Sequence, residues 1–187
     1  ALVIGCVGRL VPVKNHALLV AQVPALLRKH PTLHIVLIGD GPLEANLRAQ
    51  AEALGVGARM IFAGARGDVA DLLPAFDIFA QPSLSEGLSI ALLEGCATGL
   101  AIVASAVGGN AEIIHDGHTG RVVPAGDGDA LAGALDELLG DAALRTMFGN
   151  AAAEWVRAHA SIDGMREAYD VFYRNALGGL RRQRNHD

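Results

Sequence analysis

The sequence predicts an α/β protein: a doubly wound, Rossmann-like parallel sheet of about six strands followed by C-terminal helices. Three observations predict it. Short apolar runs alternate with longer stretches whose apolar residues recur at helical spacing. The short runs are apolar at successive positions, as in strands covered on both faces. After Pro124 the alternation stops and only helical patterns follow.

Taken in order, Leu2–Val7 is a solid apolar run, too short for a helix and ended by Gly8. His16–His30 carries Leu18, Leu19, Val23, Leu26 and Leu27 at helical spacing and stops at Pro31. Leu33–Ile38 is a second strand, and Pro42–Leu54 a second amphipathic helix with proline in its first turn. Arg59–Ala63 reads as a third strand, Asp68–Ala75 as a short helix and Asp77–Ala80 as a fourth strand. Ser89–Thr98 reads as helix, Ala101–Ala104 as a buried strand, Gly109–His115 as a short helix and Thr119–Val123 as the last strand. Helices then cover Asp129–Leu139, Ala142–His159 and Ser161–Leu177. A domain of residues 1–177 results. Gly178–Asp187, with Arg181, Arg182 and Arg184 and no apolar partners, reads as a frayed, disordered basic tail.

A chain of 187 residues is one domain's length, and 51% hydrophobic against 19% charged residues is a globular composition. The formal charge of -5 argues against nucleic acid as a partner. Polar residues or glycines interrupt every apolar run before it reaches a membrane span. Ala1-Leu2-Val3-Ile4 enters a strand at once, without an initiating Met or signal peptide, which reads as a piece of a longer protein. Cys6 and Cys96 sit inside apolar runs and read as reduced core thiols, fitting a cytoplasmic location.

Ligands of such sheets sit at the carboxyl ends of the strands, so the loops there carry the chemistry. Gly8-Arg9-Leu10-Val11-Pro12-Val13-Lys14 follows the first strand and sets two cations just ahead of a helix. With the N–H groups of the helix start they would form a phosphate site; the alternative is two solvated surface cations. In Ser85-Glu86-Gly87-Leu88-Ser89-Ile90-Ala91-Leu92-Leu93-Glu94, apolar neighbours predict a buried Glu94, whose charge requires an arginine or ligand hydroxyls. Glu86 precedes Gly87, where backbone can approach a ligand closely. Gly39-Asp40-Gly41-Pro42-Leu43-Glu44 has Glu44 in place of a third glycine and follows the second strand, so it reads as a tight turn and not a dinucleotide fingerprint. His115 and His118 flank a turn without further ligands, and no Cys/His cluster or Asp-x-Asp pair suggests a metal site.

Together, Gly8-Arg9-Leu10 with Lys14, Gly39-Asp40-Gly41-Pro42, Glu86-x7-Glu94, Val107-Gly108-Gly109-Asn110-Ala111-Glu112 and Asp116-Gly117-His118-Thr119-Gly120 resemble glycosyltransferase family 4. They are similar to the C-terminal, donor-binding domain of its two-domain GT-B fold, over about residues 2 to 175 and in the family's order. The resemblance implies a retaining transferase that binds a nucleotide-diphosphate sugar, UDP-sugar or GDP-sugar, without metal or cofactor. Arg9 and Lys14 would hold the leaving diphosphate. Glu86 would contact the transferred sugar, with Gly8 beside the phosphates and the N–H groups of Gly87, Leu88 and Ser89 near sugar and phosphate. Glu94 would hydrogen-bond the ribose, and Ala63-Gly64-Ala65-Arg66 resembles the stretch that meets the base. The acceptor site would belong to an N-terminal domain preceding Ala1, and the helices after Ser161 resemble the segment that braces that domain. A full-length enzyme of this kind leaves room for peripheral membrane association.

Three other readings share the fold. A nucleotide-sugar epimerase fits the family 4 spacing of Arg9, Lys14, Glu86 and Glu94 less well. A nicotinamide oxidoreductase lacks its glycine fingerprint. A non-catalytic nucleotide-binding module would have little reason to keep all four charged residues.

Overall fold

The computed structural model of the chain describes the backbone of residues 1–183 and the side chains of residues 1–175. Its strands are β1 (Val3–Val7), β2 (His34–Ile38), β3 (Met60–Phe62), β4 (Ile78–Gln81), β5 (Ala101–Ser105) and β6 (Arg121–Val123). They form one sheet in the order β3-β2-β1-β4-β5-β6, with every neighbouring pair parallel. The helices are α1 (His16–Lys29), α2 (Glu44–Ala53), α3 (Val69–Leu72), α4 (Ile90–Ala97), α5 (Asn110–Ile113), α6 (Gly128–Gly140), α7 (Ala142–His159) and α8 (Ile162–Gln183).

Strand side chains alternate between two cores, one on each face of the sheet. Ile4, Cys6, Ile35, Leu37, Ile78, Ala80, Ala101 and Val103 pack with Leu19, Val23, Leu47, Leu131, Leu135 and Leu138 from α1, α2 and α6. The intervening positions Ile38, Phe79, Ile102 and Ala104 pack with Leu92, Cys96, Ile113, Ala152 and Val156 from α4, α5 and α7. Two buried faces explain why the strands read as unbroken apolar runs.

Helix starts follow local capping chemistry. Ser89, Asp127 and Asp141 each accept the backbone N–H three residues on, from Leu92, Ala130 and Leu144, and open α4, α6 and α7. The helix expected from Pro42 begins at Glu44, and the one expected over Gly109–His115 contracts to a single turn. The last helix passes Leu177 and continues to Gln183. Residues 184–187 of the expected tail lie outside the described residues. Every described side chain of α8, Ile162 to Asn175, is exposed, including Met165, Tyr169, Phe172 and Tyr173.

The site follows from the strand order. The chain leaves β1 toward β2 on one side, and leaves β4 toward β5 on the other. The loops after β1 and β4 diverge, and a crevice opens between them at the carboxyl edge. The two strands themselves are joined by two registered pairs, Ile4↔Ile78 and Gly5↔Phe79, against five between β1 and β2.

Candidate functional site

The loop after β1 forms the first wall of the crevice. Gly8 N–H donates to the Ile38 carbonyl at 2.9 Å and Leu10 N–H to the Asp40 carbonyl at 2.7 Å, so the loop is laid along the end of β2. Gly39 and Gly41 make that possible. A β-carbon on Gly39 would overlap the Gly8 carbonyl, and one on Gly41 would come within 2.5 Å of the Leu10 carbonyl. The glycine turn is thus filled by the protein's own backbone, as a tight turn would be and a pyrophosphate cradle would not. The chain then makes a 3-10 turn over Pro12–Lys14, and Asn15 adopts a left-handed conformation (φ 51°) before α1 begins at His16.

The second wall comes from β4 and its loop. Leu84 N–H donates to the Val13 carbonyl at 2.8 Å and ties it to the first wall. Glu86 turns inward and meets Lys14: the ammonium donates to Oε1 at 2.7 Å and to Oε2 at 2.8 Å. Gln81 Nε2 and Ser83 Oγ also donate to Oε1, at 2.8 and 2.6 Å. The Glu86 side chain is 7% exposed and that of Lys14 26%. Burial pushes the Glu86 carboxyl up, but the hydrogen bonds from Lys14 and Ser83, the Lys14 charge and the Gln81 amide outweigh it and hold the group below the usual carboxylate range.

Behind the pair, His16 is buried with its Nδ1 unpartnered, and burial followed by the Lys14 charge lowers its pKa to about 4. A neutral imidazole therefore underlies the cation. Cys6 is free and buried, as is Cys96. Burial raises both thiols to about 12, so both behave as core side chains.

At the start of α4, the N–H groups of Gly87, Leu88 and Ser89 find no acceptor among the described residues. A β-carbon on Gly87 would meet nothing, so the backbone is open there. The tight glycine is instead Gly108, at φ +49°, whose β-carbon would overlap the Glu86 carbonyl; Gly109 N–H donates to the Gly87 carbonyl at 2.9 Å. The loop after β5 therefore backs the Glu86 turn.

The structure brings Gly8, Lys14, Glu86 and the α4 start together. Arg9 is exposed on the β1 loop and makes no ion pair among the described residues. Arg66 lies in the loop after β3, its guanidinium held by Asp68 on the surface, outside the Lys14–Glu86 cluster. Glu94 corrects an expectation: it is exposed, not buried. The buried stripe of α4 is Leu92, Gly95 and Cys96 only. Of the apolar neighbours that predicted burial, Leu92 and Cys96 are buried and Ala91 and Leu93 half-buried, but Ile90, 67% exposed, and Ala97 lie outside that stripe, as Glu94 does. Gln81, Ser83 and His16 were not singled out from sequence. A polar residue ending an apolar strand, as Gln81 does, was the available signal. His115 packs edge-on against Trp155, and among the described residues no group of three His, Cys, Asp or Glu gathers as a metal site would need. None of the described helices is long and apolar enough to cross a membrane.

The six-stranded doubly wound sheet is an α/β domain of the GT-B type, with a cation–carboxylate pair at its switch point and an open helix start beside it. The family profile for glycosyl transferases group 1 matches residues 1–155, and the chain belongs to that family. It is 37% identical over 164 residues to a GDP-mannose-dependent alpha-(1-6)-phosphatidylinositol monomannoside mannosyltransferase of Mycolicibacterium smegmatis, covering 82% of this chain and 42% of that protein. It is 33% identical to the lipopolysaccharide core biosynthesis mannosyltransferase LpcC of Rhizobium leguminosarum, covering 95% of this chain and 52% of that protein. The chain thus spans about half the length of these curated relatives. Among solved structures it matches Anabaena HepE in complex with UDP, with a TM-score of 0.87 at 22% identity, over 92% of this chain and 48% of that one. It also matches a C-terminal domain of a glycosyl transferase group 1 family protein (LpcC) from Francisella tularensis, with a TM-score of 0.80 at 25% identity, over 86% and 87% of the two chains.

Proposed function

We propose that this chain is the donor-binding half of a retaining glycosyltransferase, taking a nucleotide-diphosphate sugar without divalent metal. The observation that carries the reading is the Lys14–Glu86 pair at the switch point, beside the unpartnered N–H groups of Gly87, Leu88 and Ser89. A diphosphate needs positive charge and N–H donors together, and this edge of the sheet offers both. In this reading Arg9 and Lys14 take the diphosphate and stabilise it as it leaves. Glu86 receives a sugar hydroxyl and the exposed Glu94 takes the ribose hydroxyls. The Ala63–Arg66 loop lies toward the base. The mannosyltransferase relatives, one named as GDP-mannose-dependent, put GDP-mannose first among donors. UDP-glucose is the natural control.

Transfer requires the acceptor hydroxyl to be held against the anomeric carbon with water excluded. We assign that task to a second domain of the full-length protein, so this chain binds donor but transfers no sugar. The test is calorimetry of the 187-residue chain against GDP, UDP, ADP and NAD, with and without chelator. A preference for GDP or UDP that survives chelator supports the reading. Binding that vanishes in chelator and returns with magnesium refutes the metal-free account, and acceptor-dependent turnover by this chain alone refutes the half-enzyme account.

A further inference from the structure

The two oxygens of Glu86 are unequally served. Oε1 accepts from Lys14, Gln81 and Ser83, at 2.7, 2.8 and 2.6 Å, and Oε2 accepts from Lys14 alone, at 2.8 Å. Each carboxylate oxygen offers about two lone-pair sites, so Oε1 is saturated and Oε2 is not. The donors also differ in mobility. Ser83 and Gln81 are buried, and Ser89 Oγ donates to Gln81 Oε1 at 3.1 Å. Because Glu86 can only accept, Gln81 must present its amide nitrogen to it, and Ser89 fixes that choice from the N-cap of α4. Lys14 is partly exposed, on a flexible stem, and is the one cation of the three donors.

We propose that Glu86 Oε1 is an anchor, held by Gln81 and Ser83 as positioning residues, and that Oε2 is a working oxygen that Lys14 covers until a ligand diphosphate draws the ammonium away. The inference rests on the donor-site reading above and adds to it an internal competition. Lys14 is paired with Glu86, so a lone anion has to displace a carboxylate to reach it. When phosphate takes the ammonium, Oε1 keeps two neutral donors and the carboxylate stays in place. Oε2 then has lost its donor, and its charge is free to accept a hydroxyl from the sugar joined to the same diphosphate. Phosphate and sugar recognition are thereby coupled through one carboxylate. Arg9, exposed and outside the pair, gives the diphosphate its first uncontested cation.

Calorimetric titrations with inorganic diphosphate, GDP, GDP-mannose and UDP-glucose test this on the 187-residue chain and its variants, each checked for folding by thermal melting. Glu86→Gln frees Lys14, and the expected result is inorganic diphosphate binding about three- to tenfold tighter than in the parent. The same variant loses the preference for sugar-bearing donor over bare nucleotide. Ser83→Ala and Gln81→Leu remove the anchor, and each lowers that preference by a larger factor than it changes diphosphate affinity. Ser83→Thr, which keeps the hydroxyl, restores it, as a general packing defect would not allow. Unchanged or weaker diphosphate binding by a folded Glu86→Gln overturns the competition. A sugar preference absent from the parent, or untouched by Ser83→Ala, overturns the working-oxygen role. If the parent binds neither diphosphate nor any nucleotide, the donor-site reading itself fails, an outcome distinct from both.

Discussion

Gly108 lies against the carbonyl of Glu86 so closely that a β-carbon there would overlap the oxygen, and it does so at φ +49°. Space and conformation both demand glycine at this point. Gly108→Ala is therefore expected to destabilise the fold by roughly 1–3 kcal/mol and to push the Glu86 turn away from Lys14. Chemical denaturation reads the first effect and diphosphate titration the second. A variant as stable as the parent, with unchanged diphosphate affinity, would show that the loop after β5 does not support the Glu86 turn.

The cations are expected to discriminate by phosphate. Arg9→Ala and Lys14→Ala should weaken GDP or UDP binding far more than guanosine or uridine binding, because a nucleoside brings no charge for them to meet. Comparable losses for nucleoside and nucleotide would remove the diphosphate from this site.

Glu94 is expected to report the ribose. Its exposure means that Glu94→Ala should leave the melting temperature nearly unchanged. Nucleotide binding should fall by roughly 1–3 kcal/mol, while inorganic diphosphate, which has no ribose, is spared. Equal losses for both ligands would mean that Glu94 acts structurally, for example by positioning Arg9, and not on the ribose.

His16 should make the fold sensitive to acid. Its imidazole, ordinarily near 6.5, is lowered to about 4 by burial and by Lys14. Between those values the unfolded chain takes a proton that the native chain refuses, so stability is full above 6.5 and declines as pH falls toward 4. At about 1.4 kcal/mol per pH unit between those two values, the full window is worth roughly 3.5 kcal/mol at most. Melting temperatures of the parent and His16→Gln across this range test it. An equal slope in both would mean that another group carries the acid sensitivity.

Both thiols should resist alkylation in the native state, since burial raises Cys6 and Cys96 to about 12. Mass spectrometry after brief iodoacetamide treatment is expected to find neither modified until denaturant is added. Rapid native labelling of Cys6 would mean that the floor beneath Lys14 opens.

The four inner strands were legible because each is buried on both faces, and pattern and length also located the edge strands β3 and β6, which are only partly buried. Positions depending on contacts far along the chain were less so. Lys14 and Glu86 are 72 residues apart, and nothing local to either predicts that they meet. Gly39 and Gly41 read as a tight turn, but their further reason, the backbone of Gly8 to Leu10 pressed against them, belongs to another loop. Glu94 misleads because an apolar stretch predicts burial for the whole helix, whereas only the stripe of Leu92, Gly95 and Cys96 in α4 is buried. Ile90 is apolar and 67% exposed although it lies two residues from the buried Leu92, and local sequence does not distinguish a side chain facing a core from one facing outward.

The thin junction between β1 and β4 bears on how the molecule assembles. Ile4 finds Ile35 across a short connection, whereas its other neighbour, Ile78, lies more than twice as far along the chain. Closing the nearer pairings first is entropically easier, so β1-β2-β3 and β4-β5-β6 are expected to form as two triplets that meet late in folding. The crevice exists only after that meeting, with Lys14 on one triplet and Glu86 on the other. A ligand gripping both acts as a clasp across the seam and should slow its opening. Amide exchange at Ile4, Gly5, Ile78 and Phe79 is where the clasp would register, as slower exchange on adding nucleotide, with the outer strands β3 and β6 little affected.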